Sequence, residues 1–550
     1  MTKVRLLFFS FICLFLIIIL RLFYIQVINP VNTSDYLKTK TIYPQRGRVF
    51  DRNMLPLVTN QTKYRLFMEP QKVKNEYDTF KTIAPILGME EASIEARFDK
   101  TKNWVSIKLG LSKNQVTQLE LTKLTGMGYD EEQTRYYPEG SASAHILGFV
   151  GKNIEGDSVG YFGIEGYYDK DLSGLPGLIR SDRDLLNQPI FLGTQEKTAP
   201  ENGRDLVLTI DSSVQNIVKK QLKEGIDRYD AKKGCVIVAD PKTMEILSLI
   251  CLPDFDPEVY YSTSEETFKN SAISDLYEPG STFKPLIMAA ALQNKAIKIN
   301  DIYNESGSVT IGEYTIQTWN NSYEGKINMT RILEKSSNVG MVYIGEKMGN
   351  KMLFDTINKY RFGEKTDIDL QGEVSGYIKP YSKWYPIDFA TATFGQGLVV
   401  TPIQMIRAFA SIINGGHLMQ PFIVKQLISD KQKIEIHPKE IARAISTETS
   451  ELLKNMLFST IENGETKRLK PAGYSIGGKT GTAQIALKGY YDASKTIASF
   501  IGFASVRDPK FIALVIIYEP KTSQWGSETA APIFFNIAKE LIVYYNIAPQ

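Results

Sequence analysis

Between Leu6 and Ile28 the chain is apolar at nearly every position, and a run of that length can adopt very few structures. In lipid every backbone N–H and C=O must find its partner inside the segment, so the run has to be a helix. At about 1.5 Å per residue it is long enough to cross the ~30 Å hydrocarbon core of a bilayer. Lys3 and Arg5 precede it. The positive-inside rule therefore places the N-terminus in the cytoplasm and everything after residue 30 outside. A cleaved signal peptide needs small residues at its cut site, and the stretch from Phe23 to Ile28 offers none, so the run reads as a retained anchor. Arg21 interrupts it near the outer end and is expected to snorkel to the interface. Cys13 lacks the small preceding residues of a lipidation site and reads as packing within the helix.

The rest of the chain has the composition of a packed protein. With 43% hydrophobic and 23% charged residues in 550, it can fill about three to four domains. A net charge of +3 gives no electrostatic case for a nucleic-acid partner. Three cysteines rule out a disulfide scaffold.

The chemistry-bearing stretch runs from Tyr277 to Leu292, YEPGSTFKPLIMAAAL. A Pro-Gly turn delivers Ser281 to the start of an apolar helix, and Lys284 follows three residues later on the same face. There its amine can reach the serine hydroxyl. Pro285 falls in the first turn, where its missing N–H costs little. At a helix N-terminus, free N–H groups and the positive dipole end favour the oxyanion formed in acyl transfer. A serine and a lysine three apart are common on solvated faces, but this pattern occurs once and opens a strongly apolar helix. Ser336-Ser337-Asn338 follows 55 residues after Ser281, and Lys479-Thr480-Gly481-Thr482 comes 143 residues later. The ordered set S-x-x-K, S-x-N, K-T-G is the signature of a serine acyl-transfer site.

Gly473 to Thr480 also matches the phosphate-loop pattern G-x-x-x-x-G-K-[ST]. A true phosphate loop opens a helix, whereas the residues after Thr480 read as continuing strand, so the match is set aside. The three histidines, at 145, 417 and 437, share no ligand spacing with one another or with the cysteines, and no metal or cofactor is expected.

Around this site the pattern divides the chain into residues 1–30, an anchor; 31–202, a mixed region whose charges read as structural; and 203–550, the region holding the site. A strand is expected near Asp205 and a helix over Val214 to Tyr229. Cys235 to Cys251 reads as a hairpin around Pro241. Its two cysteines lie on opposite arms, and with no readable register they are taken here as two free thiols. The stretch after the Ser281 helix reads as all-helical. Thr496–Ser505 and Phe511–Tyr518 read as a second hairpin, followed by a helix from about Ala530 to Tyr545. The fold class is α+β, an antiparallel sheet covered by helices.

The three motifs, with RGRVFDRN from Arg46, HILGFVG from His145, GIEGYYDKDLSG from Gly163 and FGQGLVVTPIQ from Phe394, resemble class B penicillin-binding proteins. The likeness is to the monofunctional division or sporulation type. Met54 and Met244 stand where that family usually has turn glycines, and Ser527 where a second glycine is common. The resemblance implies a transpeptidase domain on an elongated pedestal, 31–202, similar to the family's dimerisation domain. It implies a single-pass protein of the cytoplasmic membrane with an extracytoplasmic catalytic domain. It also implies a peptidoglycan D,D-transpeptidase: Ser281 attacks the penultimate D-Ala carbonyl of a stem peptide, terminal D-Ala leaves, and an amine from a neighbouring strand resolves the acyl-enzyme. Lys284 is the implied base, Ser336 a proton relay, and Asn338 a holder of the donor amide and of Lys284. Lys479 supplies fixed positive charge, Thr480 and Thr482 bind the substrate carboxylate, and Gly481 lies between them. The N–H groups of Ser281 and Thr482 form the implied oxyanion hole. β-Lactams are the implied inhibitors, and a SEDS-type membrane glycosyltransferase is the implied partner. A D,D-carboxypeptidase or β-lactamase-like acylase, which passes the acyl group to water, and a catalytically silent scaffold are the alternatives.

Overall fold

The computed structural model describes residues 2–28, 37–182, 195–487 and 490–549. It divides into two compact units, one of residues 1–46 and 173–203 and one of 47–172 and 204–550. In the first, Thr2–Phe23 is an α-helix that continues as wider turns over Tyr24–Ile28. Together they are long and apolar enough to cross a membrane, and none of the helix's side chains is buried by protein. The same unit holds a three-stranded antiparallel sheet in which Gly177–Asp182 pairs with Leu37–Ile42 on one side and Gln195–Thr198 on the other.

The second unit is built on a five-stranded antiparallel sheet. Its spatial order is Ile246–Leu252, Lys233–Ala239, Phe511–Tyr518, Tyr490–Ala504 and Ile476–Leu487. Successive strand residues point to opposite faces. Val236 and Val238 accordingly join Phe500, Val515 and Ile517 beneath the helices Ser212–Tyr229 and Ala530–Tyr544. Cys235 and Ile237 join Ile501, Leu514 and Ile516 on the other face, against a core that includes Leu286 and Ile287 of the helix Lys284–Gln293. Both faces are covered, which is why Phe511–Tyr518 is buried at every position and reads as an unbroken apolar run. Each such side chain contributes about 1.5–3 kcal/mol when fully removed from water.

A second sheet in this unit runs Lys433–Glu435, Val424–Ile428, Asp205–Leu208, Val49–Phe50, Pro56–Met68, Val105–Leu111, with Met127–Tyr136 also paired to Pro56–Met68. Strands from before residue 202 and after residue 203 thus share one hydrogen-bonded ladder. The charges of the early segment have structural partners. Arg135 and Glu165 form a buried ion pair at 2.6 Å. The buried Asp51 carboxylate accepts from the N–H groups of Asn53, Leu55 and Ser212.

Two expectations need correction. The stretch after the Ser281 helix is not all-helical. Ile302–Glu305 pairs with Gly325–Asn328, Val309–Ile311 with Tyr314–Ile316, and His417–Met419 with Glu440–Arg443. The second ribbon consists of β-branched and aromatic residues around Gly312, whose φ of 60° suits a tight turn. Secondly, Cys235 and Cys251 are not free thiols but a disulfide, because the hairpin register sets them directly opposite with Cα atoms 4.1 Å apart.

Met54 and Met244 do take the backbone that glycine would, with φ of 65° and 58°. A side chain in that region costs roughly 1–2 kcal/mol.

Candidate active site

The nucleophile candidate sits where a tight turn becomes a helix. Gly280–Phe283 forms a 3₁₀ turn and Lys284–Gln293 continues it as α-helix. Gly280 has φ 55° and donates its N–H to the Gly395 carbonyl at 3.0 Å. Phe283, fully buried against Phe362, pins the turn from below.

Lys284 is 0% exposed. Its Nζ donates to the Ser336 carbonyl, to Ser336 Oγ at 3.1 Å and to Asn338 Oδ1 at 2.8 Å. Among the described residues no hydrogen bond joins it to Ser281 Oγ. Its donors go instead to the three acceptors that Ser336 and Asn338 present. Burial, and then the nearby Lys479 charge, push the Lys284 pKa well below that of an ordinary lysine, while Glu465 opposes the shift.

The S-x-N turn is held from behind. Ser336 has φ 56°, an uncommon backbone for a side-chain-bearing residue. Ser337 caps the helix Asn338–Met348 through Gly340 N–H at 2.9 Å. Its hydroxyl also donates to the buried carboxylate of Glu305, which accepts from Lys335 Nζ at 3.1 Å. Asn338 Nδ2 reaches the Gln317 carbonyl at 3.0 Å.

Lys479, Thr480, Gly481 and Thr482 lie on Ile476–Leu487, the edge strand of the five-stranded sheet. Its hydrogen-bonded neighbour is on one side only, so the other side can take an extended peptide. A strand here, where a phosphate loop would start a helix, also removes the nucleotide-loop reading. Lys479 is buried and donates to the Thr480 carbonyl at 3.2 Å and to Thr480 Oγ1 at 3.3 Å. Burial lowers its pKa to about 8. Gly526 N–H donates to Thr482 Oγ1 at 3.0 Å.

These pieces converge on one cleft of about 600 Å³, open solvent included, lined by Ser281, Ser336, Asn338, Thr480, Gly481 and Thr482. Of the expected site residues, all but the two lysines line it. Lys479 lines an adjoining pocket with Ser336 and Thr480, and Lys284 lies buried beneath Ser336 and Asn338. The arrangement offers a nucleophile at a helix start, a buried amine of low basicity and a cation beside a strand edge. That is the equipment for acyl transfer.

The Penicillin binding protein transpeptidase domain matches residues 234–539, and the Penicillin-binding Protein dimerisation domain matches 41–208. The chain belongs to the penicillin-binding protein transpeptidase family. Within it, the chain is 34% identical to Stage V sporulation protein D of Bacillus subtilis over 98% of this chain and 84% of that one. It is 29% identical to peptidoglycan D,D-transpeptidase FtsI of Escherichia coli over 96% and 90%. The fold is that of Penicillin Binding Protein 2X from Streptococcus thermophilus, with a TM-score of 0.77 at 23% identity over 93% of this chain and 80% of that chain.

Sequence reasoning missed several members of the cleft. Trp319 and Trp525 line it, edge to face with ring centroids 5.3 Å apart, as do Gln396 and Glu465. Two of the chain's four tryptophans, flanking the S-x-N and K-T-G motifs, were the available signal. Nothing in local pattern marks Glu465.

Proposed function

We propose that Ser281 is the residue acylated in a peptidoglycan D,D-transpeptidase reaction, with Lys284 as its base. The observation that carries this is the Lys284 amine, fully buried, made less basic by its surroundings and hydrogen-bonded to both polar residues of the S-x-N turn. A neutral amine there can take the Ser281 proton as Oγ attacks the penultimate D-Ala carbonyl. Ser336, already bonded to Lys284, passes a proton to the departing D-Ala nitrogen. The N–H groups of Ser281 and Thr482 hold the oxyanion, and Asn338 orients the donor amide. Lys479, Thr480 and Thr482 receive the donor's terminal carboxylate, and Gly481 keeps the strand close to the turn. An amine of a second stem peptide then displaces Ser281.

The protein binds peptidoglycan stem peptides and β-lactams and is membrane-anchored. We assign its N-terminus to the cytoplasm and its catalytic domain to the outer side on the Lys3 and Arg5 charges. Residues 31–202 are its pedestal and 203–550 its transpeptidase domain. A SEDS-type glycosyltransferase supplies the glycan strands.

The test is mass spectrometry after penicillin treatment. One stable adduct is expected, on Ser281, and it is lost in Ser281→Ala. An adduct elsewhere, or none on folded wild-type protein, refutes the assignment.

A further inference from the structure

Among the described residues Glu465 is the only charged side chain lining the cleft. A carboxylate is an unexpected choice there, because the donor peptide brings a carboxylate of its own and the two would repel. It also follows directly on the helix Thr447–Asn463, whose C-terminal end is the negative end of the helix dipole and disfavours an acid. Its position is well defined. Gly464 packs so closely on the Thr460 carbonyl that a Cβ there would collide with it, and the neighbouring Thr466 is 2% exposed. Glu465 is itself exposed, and among the described residues its carboxylate makes no hydrogen bond or salt bridge, while its charge acts on Lys284 and Lys479. It lines both the main cleft and the adjoining pocket with Ser336, Lys479 and Thr480. The carboxylate brings a negative charge to the cleft that Ser281 lines, offset in part by the Lys479 charge, and an exposed carboxylate there can take a cation.

Resting on the transpeptidase reading above, we propose that Glu465 seats the primary ammonium of the acceptor strand, and so determines which nucleophile resolves the acyl-enzyme. The incoming amine is protonated at neutral pH. It docks as an ammonium on Glu465 and releases one proton to solvent. The nitrogen lone pair then forms the C–N bond to the acyl carbon while the bond from that carbon to Ser281 Oγ breaks. The second nitrogen proton is delivered to Ser281 Oγ by way of Lys284, giving an amide and free Ser281. A neutral nucleophile gains nothing from Glu465.

The experiment compares two nucleophiles competing for the same acyl-enzyme, formed on the full chain from a D-alanyl thioester donor that carries no amine. One is a synthetic tripeptide bearing a side-chain primary ammonium, and the other is hydroxylamine, which is largely neutral at pH 7. In Glu465→Gln the yield ratio of tripeptide amide to hydroxamate is expected to fall about tenfold, the worth of one charge-assisted contact. Glu465→Asp should recover part of it. Because both products leave the same acyl-enzyme, any change in the rate of acylation cancels in the ratio. An unchanged ratio overturns the proposal. So does a Glu465→Gln defect seen only with donors that themselves carry a side-chain amine, which would place the ammonium on the donor. The penicillin adduct on Ser281 is scored in the same samples, so failure of the underlying reading is seen separately as a missing adduct.

Discussion

Lys284 and Lys479 are two lysines held where a lysine keeps its charge with difficulty, and the proposed mechanism asks opposite things of them. Lys284 must be neutral to accept the Ser281 proton. Burial and the Lys479 charge lower its pKa, so the neutral form becomes available at a lower pH than for a free lysine. Lys479 must be positive to attract the carboxylate of penicillin or of a donor peptide, and it loses that charge as the pH rises through about 8. The acylation rate is therefore expected to rise with pH through the depressed Lys284 titration and to fall again near pH 8. Lys479→Arg keeps a permanent charge and should lose the falling limb at some cost in absolute rate. Stopped-flow acylation by a fluorescent penicillin measures this, and a wild-type profile flat from about pH 7 to 9 would remove Lys479 from carboxylate recognition. The residues that meet at the cleft were legible in the sequence because S-x-x-K, S-x-N and K-T-G are local. That Asn338 holds the Lys284 amine came only from the family resemblance, since Ser336 and Asn338 reach that amine from a separate segment more than fifty residues away and no local pattern shows the contact.

Among the elements, the hairpin Lys233–Ala239 and Ile246–Leu252 shows where sequence reading stops. Its arms were legible as two β-rich runs around Pro241. Its register was not. Both faces of these strands are buried and apolar, so a one-residue slip would leave the hydrophobic pattern unchanged, and a bulge between Val238 and Ala239 shifts the count. The disulfide between Cys235 and Cys251 is the consequence of that register. It closes a loop with a sequence separation of 16. On loop-closure entropy such a crosslink is worth ~3 kcal/mol. The double variant Cys235→Ala, Cys251→Ala should lose about that much stability in chemical denaturation and still be labelled on Ser281, since neither cysteine lines the cleft. A loss under ~0.5 kcal/mol would mean that the thiols are unpaired in the native protein. The short ribbons between residues 302 and 328 were missed for a related reason. At three or four residues each, they are too brief for a period of two to stand out against the helices around them.

At the scale of the whole molecule, the sequence showed one apolar run and one acyl-transfer constellation. It could not show that residues 173–203 return to the same unit as residues 1–46, because the pairing of Leu37 with Asp182 leaves no trace in local periodicity. The motifs found account for cross-linking but not for polymerising the glycan strands that carry the peptides, which is the argument for a membrane-embedded polymerase as partner. Arg21 tests it. It lies in the last turn of the helix Thr2–Phe23 with its guanidinium 5.7 Å from the Tyr24 ring centroid. An unpaired charge in a membrane helix costs ~2.5–3.5 kcal/mol at the bilayer centre and less toward the interface. Snorkelling with support from Tyr24 would satisfy Arg21 without any partner. If Arg21 instead contacts the polymerase, Arg21→Leu removes that contact while making the helix a better anchor. Co-purification of a polytopic polymerase should then drop several-fold, while the variant stays in the membrane fraction and Ser281 is still labelled by penicillin. Equal recovery of the polymerase would return Arg21 to snorkelling. Failure of any polytopic polymerase to co-purify with the wild-type protein would count against the partnership itself.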